Sequence, residues 1–452
     1  MTLVVPFPGA GRTTVAEVGG KAYSLIRMLE AGLSVPPGAV LTTEFFAPWF
    51  DEIRASATWM ELSEASPDRW PLLCSELKWR CLTFPLTAAQ GQAFTDLRGV
   101  LAALGGDALF AVRSSSPEED LASASFAGGY ETGGASGGAG ERGATLLRFE
   151  PRCACACLQE EHGLDVWSPR IAVIVQQQVD SQTAGVGFSL NPLTNDYDEA
   201  VIDANWGLGE SVVAGSASPD HFVVDKVSRR VVEAKLGAKQ VSTWLGSDGG
   251  TVEREHRSAD LTLAEAQLGE LVHVLCRVEE LFGCPVDIEW AFAGGRLHLL
   301  QARPITTYLP LPVEMVTKPG ERRRLYADAG LSQGLTINEP ISPLGLAWMV
   351  DVLYSSILKR WAGIDDFTPA GGLVFAAGCR FYMNVSNAMW LGMTPRMMAR
   401  NAAATDALLA EILGSVDAKR YRAVRRPPWL RFGLLLLLPR ACGQCVASSR
   451  TR

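Results

Sequence analysis

The sequence predicts an α+β fold, and two neighbouring features carry that prediction. Residues Leu263–Phe282 place apolar side chains at spacings of three and four, which is typical of an amphipathic helix. Two apolar strands follow, "PVDIEWAF" and "RLHLLQARPI", joined by the short connection "AGG". So short a connection makes the strands antiparallel, because parallel strands need a crossover of a dozen or more residues. A helix beside antiparallel strands is the pattern of an α+β domain.

Earlier elements are predicted in chain order. A helix is predicted over Gly19–Gly32. Leu25, Ile26 and Leu29 share one of its faces, and the final glycine provides a stop. The segment "VPPGAVLTT" then indicates a turn into a strand. Further strands are predicted at Ala108–Arg113, Ile171–Val179, Gly185–Leu190 and Glu199–Ala204.

The chain is expected to hold more than one domain, since 452 residues exceed one ordinary core. Its character changes after Thr307, where "LPLPVEMVTKPGERRR" begins. We predict a first domain over residues 1–307, a linker over 308–324 and a second, mostly helical domain over 325–452. Helices in the second domain are predicted at Leu346–Arg360 and Met397–Val416.

Composition excludes several classes of protein. Apolar residues make up 48% and charged residues 20%, as in globular proteins. The net charge of −8 argues against nucleic acid as the main partner, although local basic groups could still bind a small phosphate ligand. The longest apolar run, Phe432–Pro439, is far shorter than the roughly 20 residues that span a bilayer. With no secretory signal and ten cysteines, we expect a cytoplasmic protein with free thiols and no membrane partner.

The hairpin near residue 290 is the most informative segment. Alternation along its strands places Asp287 and Glu289 on one face, and likewise Gln301 and Arg303. If the connection has an odd length, such as Gly294–Arg296, Glu289 lies opposite Gln301 and Asp287 opposite Arg303. Hard oxygen ligands suit Mg²⁺, and a guanidinium neutralises phosphate oxygens. The alternative is a solvated polar face with one salt bridge.

Three further segments could contact an anion. Lys21 follows a glycine pair and begins a helix, where backbone N–H groups can hold an anion; the alternative, which this segment taken alone favours, is a solvent-exposed lysine in the first turn. Arg113 ends a strand and enters "SSSPEED", so it could reach a phosphate or form an ordinary ion pair. Gly128 and Gly129 would let the backbone approach a phosphate closely, as any glycine-rich turn would.

Taken together, these segments resemble one family closely. The matching words are "GGKAYSL", "GLSVPPGAVLTTEFF", "AVRSSSPEEDLASASFAGGYET", "NPLTNDYDEAVIDANWGLGESVVAGSASPDHFVVD" and "PVDIEWAF…LHLLQARPIT". The chain is similar over Val15–Thr307 to the ATP-binding domain of phosphoenolpyruvate synthase, pyruvate phosphate dikinase and rifampicin phosphotransferase. The resemblance implies an ATP-grasp fold with ATP and Mg²⁺ as ligands.

The resemblance also implies roles for individual residues. Glu289 and Gln301 match the Mg²⁺ ligands. The phosphate-contacting positions match Lys21, Arg113 and Arg303, and Gly128 and Thr132 lie in the loop that covers the phosphates. The strand end Gln176–Val179 matches the hinge that receives adenine, with Gln176 the closest match. Glu210 lies in another family motif, "GLGE", whose role here could equally be that of a plain turn.

The family's chemistry uses a part that this sequence lacks. In the family, a histidine on a swivelling domain takes a phosphoryl group from ATP and passes it to pyruvate or rifampicin. The glycine-rich "GG…H" motif of that domain is absent here, and none of the five histidines has its context. We therefore assign no catalytic residue and expect a separate histidine-bearing domain or polypeptide as partner. His221, in "SPDHF", is expected to be structural.

Later motifs favour one branch of the family. The words "NEPISPLG" and "GCRFYMNVS" resemble rifampicin phosphotransferase-like members, and no phosphoenolpyruvate-binding barrel is recognisable.

Three functions remain open. The chain could be the Mg·ATP-binding part of a dikinase-type phosphotransferase, a regulatory ATP-binding module, or an inactive truncated product.

Two segments break the resemblance. Residues 133–157 are rich in Gly, Ala, Arg and Cys where related sequences have an amphipathic helix, and "RACGQCVASSRTR" has the same character. We hypothesise that both are translated from a shifted reading frame, the second leading to premature termination; genuine divergence or a flexible insertion is the alternative. The cysteine motifs within them lack a second ligand cluster or a βαβ context, so we expect neither a metal nor a redox site.

Overall fold

The computed structural model describes residues 2–422, apart from residues 10, 67, 82, 106–107, 118–119, 122–123, 126–131, 137–169, 247–249, 256–259, 318–320, 329–340, 355, 357, 360–363 and 404–406. The chain forms two compact units, Met1–Tyr308 and Leu309–Arg452. Both segments assigned to a shifted frame lie outside the described residues, except for a short strand at residues 132–136.

The first unit is a mixture of helices and strands. In chain order its elements are β1 (Val4–Phe7), α1 (Val15–Glu30), β2 (Gly38–Leu41), α2 (Thr43–Arg54), α3 (Ala57–Glu64), α4 (Trp70–Cys81), α5 (Ala88–Ala102), β3 (Phe110–Ser115), β4 (Asp120–Leu121), β5 (Ala124–Ser125), β6 (Thr132–Ser136), β7 (Ala172–Gln177), β8 (Thr183–Phe188), β9 (Glu199–Trp206), α6 (Glu210–Val213), β10 (Asp220–Asp225), β11 (Val231–Lys235), β12 (Val241–Leu245), β13 (Thr251–Glu255), α7 (Glu265–Phe282), β14 (Val286–Ala293) and β15 (Arg296–Pro304).

Two antiparallel sheets organise this unit. A five-stranded sheet has the order β1-β2-β7-β3-β6, and a six-stranded sheet has the order β11-β10-β9-β8-β14-β15. The small pairs β4-β5 and β12-β13 complete the unit. The predicted mixed fold with antiparallel strands is confirmed.

The buried side chains form one core on each side of the five-stranded sheet. Helices α2, α4 and α5 pack on its first face, and the aromatic side chains of Phe45, Phe46 and Phe94 pack there edge to face. On its second face, α1 lies between this sheet and the six-stranded sheet. The six-stranded sheet buries alternate residues of its strands against α1 and α7. The residues that alternate with these lie on its other face.

Helix α7 shows why the sequence prediction succeeded here. Its buried residues recur at helical spacing, and the helix ends where Gly283 adopts the left-handed conformation with φ of 73°. Glycine accommodates this conformation without a Cβ penalty, which makes it a common helix stop. The buried positions are Leu268, Leu271, Val272, Leu275 and Val278.

The second unit combines short helices with a sheet that the sequence analysis did not predict. Its elements are a 3₁₀ turn (Val313–Met315), β16 (Tyr326–Asp328), α8 (Pro343–Ala347), a π-helical segment (Trp348–Tyr354), β17 (Val374–Ala377), β18 (Arg380–Asn384), α9 (Val385–Ala388), a 3₁₀ turn (Met389–Leu391), α10 (Pro395–Ala402), α11 (Ala407–Ser415) and α12 (Ala418–Tyr421). The strands pair in the order β16-β18-β17. The single helix predicted at Met397–Val416 was wrong, since α10 ends before α11 begins.

Among the described residues of both units, no helix combines the length and the apolar character that crossing a membrane requires.

Candidate functional site

The hairpin of β14 and β15 has the predicted cross-strand pairs, but an even turn and a β-bulge produce them instead of an odd connection. Its turn has two residues, Gly294 and Gly295, both at positive φ, so the connection is even rather than odd. A β-bulge at Leu300 then inserts one extra residue into β15. Glu289 consequently lies opposite Gln301. Without the bulge, Gln301 would point to the other face of the sheet.

The polar residues of the hairpin occupy the sheet face opposite the core. Ile288 and Trp290 are fully buried against the helices, whereas the side chain of Glu289, which alternates with them, is 27% exposed. Next to Glu289, Arg303 donates from Nε to the Asp287 carboxylate, with 2.8 Å to each oxygen. This ion pair is the one that the alternative interpretation of the hairpin expected, and it fixes the arginine beside the Glu289–Gln301 pair.

Arg113 reaches the same place from the other sheet. It lies on β3, and its Nη1 donates to the carbonyl oxygen of Leu300 at 3.1 Å. The same nitrogen lies 3.6 Å from Oε2 of Glu289. Leu300 is the bulged residue and has no paired residue on β14. The bulge therefore orients Gln301 and also anchors the arginine that links the two sheets.

Lys21 lies at a kink in α1, beside the serine segment that follows Arg113. Gly19 has φ of 77° and interrupts the helix, so the helix resumes immediately before Lys21. The backbone N–H of Gly20 donates to the Ser116 carbonyl, and that of Ala22 donates to Oγ of Ser115. Helix-start donors of this kind can hold an anion, but the N–H groups of Gly20 and Ala22 bind the serine segment after Arg113 instead. Lys21 is half-buried beside them.

The remaining predicted site residues are less close to the hairpin or lie outside the described residues. Gln176 is 2% exposed, and its Nε2 donates to the Pro36 carbonyl at 3.0 Å, so its side chain serves the strand packing. The backbone of Thr132 lies opposite Arg113 in the pairing of β3 with β6. Gly128 lies outside the described residues. Glu210 is the first residue of the short helix α6.

Sequence reasoning missed three contributors to this region. Leu300 gave no signal, since a bulge is invisible in an apolar run. Ser115 was treated only as part of a loop, yet its Oγ also donates to the Val18 carbonyl at 2.8 Å. Asp203 was never singled out, although its Oδ1 lies 2.7 Å from Nδ1 of His221 on the same sheet. A count of polar residues at alternate positions of β9 and β10 could have found that pair.

Another histidine, His298, lies half-buried on β15. Burial lowers the pKa of His298, and the nearby charge of Arg296 lowers that pKa further. The imidazole is thus held neutral at pH values where an exposed histidine would begin to be protonated.

Comparison with known proteins identifies the first unit. Residues 15–319 match the family described as the pyruvate phosphate dikinase, AMP/ATP-binding domain. The chain belongs to this family. Within it, a probable phosphoenolpyruvate synthase of Methanocaldococcus jannaschii is 32% identical over 309 residues, covering 64% of this chain and 25% of that protein. One from Methanothermobacter thermautotrophicus is 30% identical, covering 81% of this chain and 56% of that protein.

Proteins named rifampicin phosphotransferase match to a similar extent. A rifampicin phosphotransferase of a Streptomyces species is 32% identical over 367 residues, covering 78% of this chain and 41% of that protein. The chain thus spans between a quarter and just over half of these relatives' lengths. ATP binding follows from the family domain.

The oxygen ligands of the hairpin suffice for Mg²⁺ only if phosphates supply further ligands. Among the described residues, no three His, Cys, Asp or Glu side chains cluster to hold a metal by themselves. Glu289 offers one carboxylate and Gln301 one amide oxygen, side by side on paired strands. Mg²⁺ is commonly bound by one or two protein oxygens together with waters and substrate phosphates. The pair could therefore hold the ion when a nucleotide supplies the other oxygens.

Proposed function

We propose that the first unit binds Mg·ATP between its two sheets, in an ATP-grasp arrangement, and positions the phosphates for transfer in a dikinase-type reaction. The observation that carries this proposal is the contact of Arg113 with Glu289 and Leu300. A cation from one sheet and a carboxylate–amide pair from the other converge at one point. Such a convergence suits a polyphosphate with its metal ion.

Each residue has a distinct task in this proposal. Glu289 and Gln301 would hold Mg²⁺, which when bound spreads the negative charge of the phosphates. Arg113 and Arg303 would contact phosphate oxygens through their planar guanidinium groups, and Lys21 would add a point charge from the kinked helix. To do this, Arg113 would exchange its contact with Glu289 for a phosphate.

The covering loop and the adenine edge complete the proposed site. Thr132 lies beside Arg113 in the strand pairing, so the segment carrying Gly128 and Thr132 would close over the phosphates. The strand end Gln176–Val179 would form the adenine edge. The buried Gln176 side chain is already bonded to the Pro36 carbonyl, and its backbone is paired with β2 and β3.

The complete reaction would need a second component. We propose a rifampicin phosphotransferase-like role in which a histidine-bearing domain, on a separate polypeptide or further along the protein, receives the phosphoryl group. The segments "NEPISPLG" and "GCRFYMNVS" support this branch, and the similarity to a rifampicin phosphotransferase over 78% of the chain is consistent with it. A regulatory ATP-binding role without transfer is the alternative, and the experiment below separates the two.

Isothermal titration calorimetry of the full chain with Mg·ATP tests the binding proposal. We expect saturable binding that is lost without Mg²⁺ and lost in Glu289→Ala. Glu253→Ala, on the exposed strand β13, is the matched control and should bind normally. Unchanged affinity in Glu289→Ala would refute the metal assignment, and no binding by the wild-type chain would refute the function. Phosphotransfer measured with and without an added histidine domain then distinguishes a transferase from a regulatory module.

A further inference from the structure

The first turn of helix α1 after its kink needs partners for its backbone N–H groups. At Gly19 the chain leaves the helical conformation, with φ of 77°, and the helix resumes after it. A helix start leaves N–H groups that its own carbonyls do not bind, and a first turn without such partners is less stable. Lys21 belongs to this turn. The groups that bind these N–H donors therefore determine how firmly the lysine is held.

Ser115 supplies one of these partners from another element. Its Oγ accepts a hydrogen bond from the backbone N–H of Ala22 at 3.1 Å and donates to the carbonyl oxygen of Val18 at 2.8 Å. An uninterrupted α-helix joins these two groups directly, since residue i bonds to residue i−4. The hydroxyl thus bridges the carbonyl and the N–H on either side of the kink. All three residues are fully buried, so water does not compete for these bonds.

Ser115 and Arg113 lie on one face of β3. They are two residues apart on the strand, so their backbones are about 6.6 Å apart and their side chains lie on the same side. The pairing of β3 with β7 extends from Phe110 to Ser115, which fixes both positions within the five-stranded sheet. Ser114, between them, belongs to the opposite face, and its buried Oγ makes no hydrogen bond in the described part of the chain. One face of β3 thus presents a guanidinium to the hairpin and a hydroxyl to α1.

We propose that Ser115 is a positioning residue for phosphate binding, which holds Lys21 at a set distance from Arg113. This inference rests on the proposed function, in which both cations contact phosphates of the nucleotide. Two cations act together on one polyphosphate only when their spacing matches that of its oxygens. The hydroxyl links the strand that carries one cation to the helical turn that carries the other. It does not contact a phosphate itself, since it is fully buried and bonded to α1.

Calorimetric titration of the full chain with Mg·ATP tests this role through double-mutant cycles. Ser115→Ala should weaken binding about tenfold, because the turn without its partner no longer holds Lys21 in place. In a Lys21→Ala background the same change should have little further effect, since the group that it positions is gone. In an Arg303→Ala background, on the other sheet, it should keep its full effect. Ser114→Ala is the matched control and should bind as wild type.

A second variant covers the case in which Ser115→Ala does not fold. Ser115→Cys retains a weak donor and acceptor at the same place. It should weaken Mg·ATP binding to a smaller extent, again only while Lys21 is present. Urea denaturation followed by circular dichroism establishes that each variant is folded before its affinity is compared.

Two results would overturn the inference while leaving the binding proposal intact. The first is wild-type affinity in Ser115→Ala. The second is an equal loss of affinity from the serine change with and without Lys21, because a merely structural role would weaken binding in both backgrounds. Unchanged binding in Lys21→Ala would refute the assignment of this lysine to the phosphates, and the inference with it. Absence of Mg·ATP binding by the wild-type chain would instead refute the proposed function itself.

Discussion

Lys239 and Asp220 form an ion pair with no exposed surface on either side chain. Asp220 also accepts hydrogen bonds from the backbone N–H groups of Gly237 and Thr262, both at 2.7 Å. Its carboxylate therefore ties the start of β10 to the segments that follow β11 and precede α7. At the scale of single residues, this is the buried charge whose loss should cost the most.

Asp220→Ala should lower the free energy of unfolding by about 3–5 kcal/mol, because Lys239 would be left as a buried, unpaired charge. Urea denaturation followed by circular dichroism measures this. The exposed pair of Asp51 and Arg54 provides the control, since Asp51→Ala should cost less than about 1 kcal/mol. A similar cost for the two variants would contradict the buried-charge argument.

A second prediction at this scale concerns thiol reactivity. Burial raises the pKa of Cys81 to about 11, despite a backbone hydrogen bond that acts in the opposite direction. The thiol therefore stays protonated at pH 8, and only above about pH 11 does the reactive thiolate dominate. Alkylation with iodoacetamide at pH 8, mapped by mass spectrometry, should label the exposed Cys379 and spare Cys81. Labelling of both should follow in denaturant; rapid labelling of native Cys81 would disprove the prediction.

At the scale of elements, the kinked helix α1 packs closely against the serine segment after Arg113. A methyl group on Gly19 would lie 2.1 Å from the carbonyl oxygen of Ser115, and the φ of 77° is unfavourable for any other residue. Close approach of helix and strand thus depends on this glycine. The approach brings Lys21 beside the strand that carries Arg113.

Gly19→Ala should destabilise the first unit by about 3 kcal/mol, from backbone strain and the clash together. It should also weaken Mg·ATP binding by displacing Lys21. Gly91→Ala, in the first turn of α5 with open space around it, is the control and should be neutral or stabilising by up to about 1 kcal/mol. Urea denaturation and calorimetry on both proteins check this, and equal stability of the two variants would contradict it.

At the scale of the whole molecule, the two units have separate cores, since the apolar clusters of the second contain residues of that unit alone. A ligand of the first unit should therefore stabilise that unit only. At one hundred times its dissociation constant, Mg·ATP should contribute about 2.7 kcal/mol to the unfolding free energy of the first unit.

Differential scanning calorimetry can detect this selectivity. The transition of the first unit should move upward by several degrees with Mg·ATP, and that of the second unit should stay in place. In Glu289→Ala neither transition should move. Equal shifts of both transitions would show that the nucleotide stabilises the second unit as well, contrary to the expectation.

The sequence by itself determined the mixed antiparallel fold, the family and the face on which Asp287 and Glu289 lie. It could do so because helix and strand periodicities are local, and alternation assigns faces without knowledge of strand order. Met397–Val416 shows the limit of such patterns, since its helical character was correct but the interruption inside it was not detected.

Only the tertiary structure decided which distant residues meet. Arg113 and Leu300 are 187 residues apart, and their hydrogen bond depends on a bulge that no periodicity reveals. The donors beside Lys21 were assigned to Ser115 and Ser116 by the packing of α1 on β3. Asp203 and His221 meet because β9 and β10 are neighbours in the six-stranded sheet. Strand order and register are set by the burial of the whole core, so they cannot be obtained from any single segment.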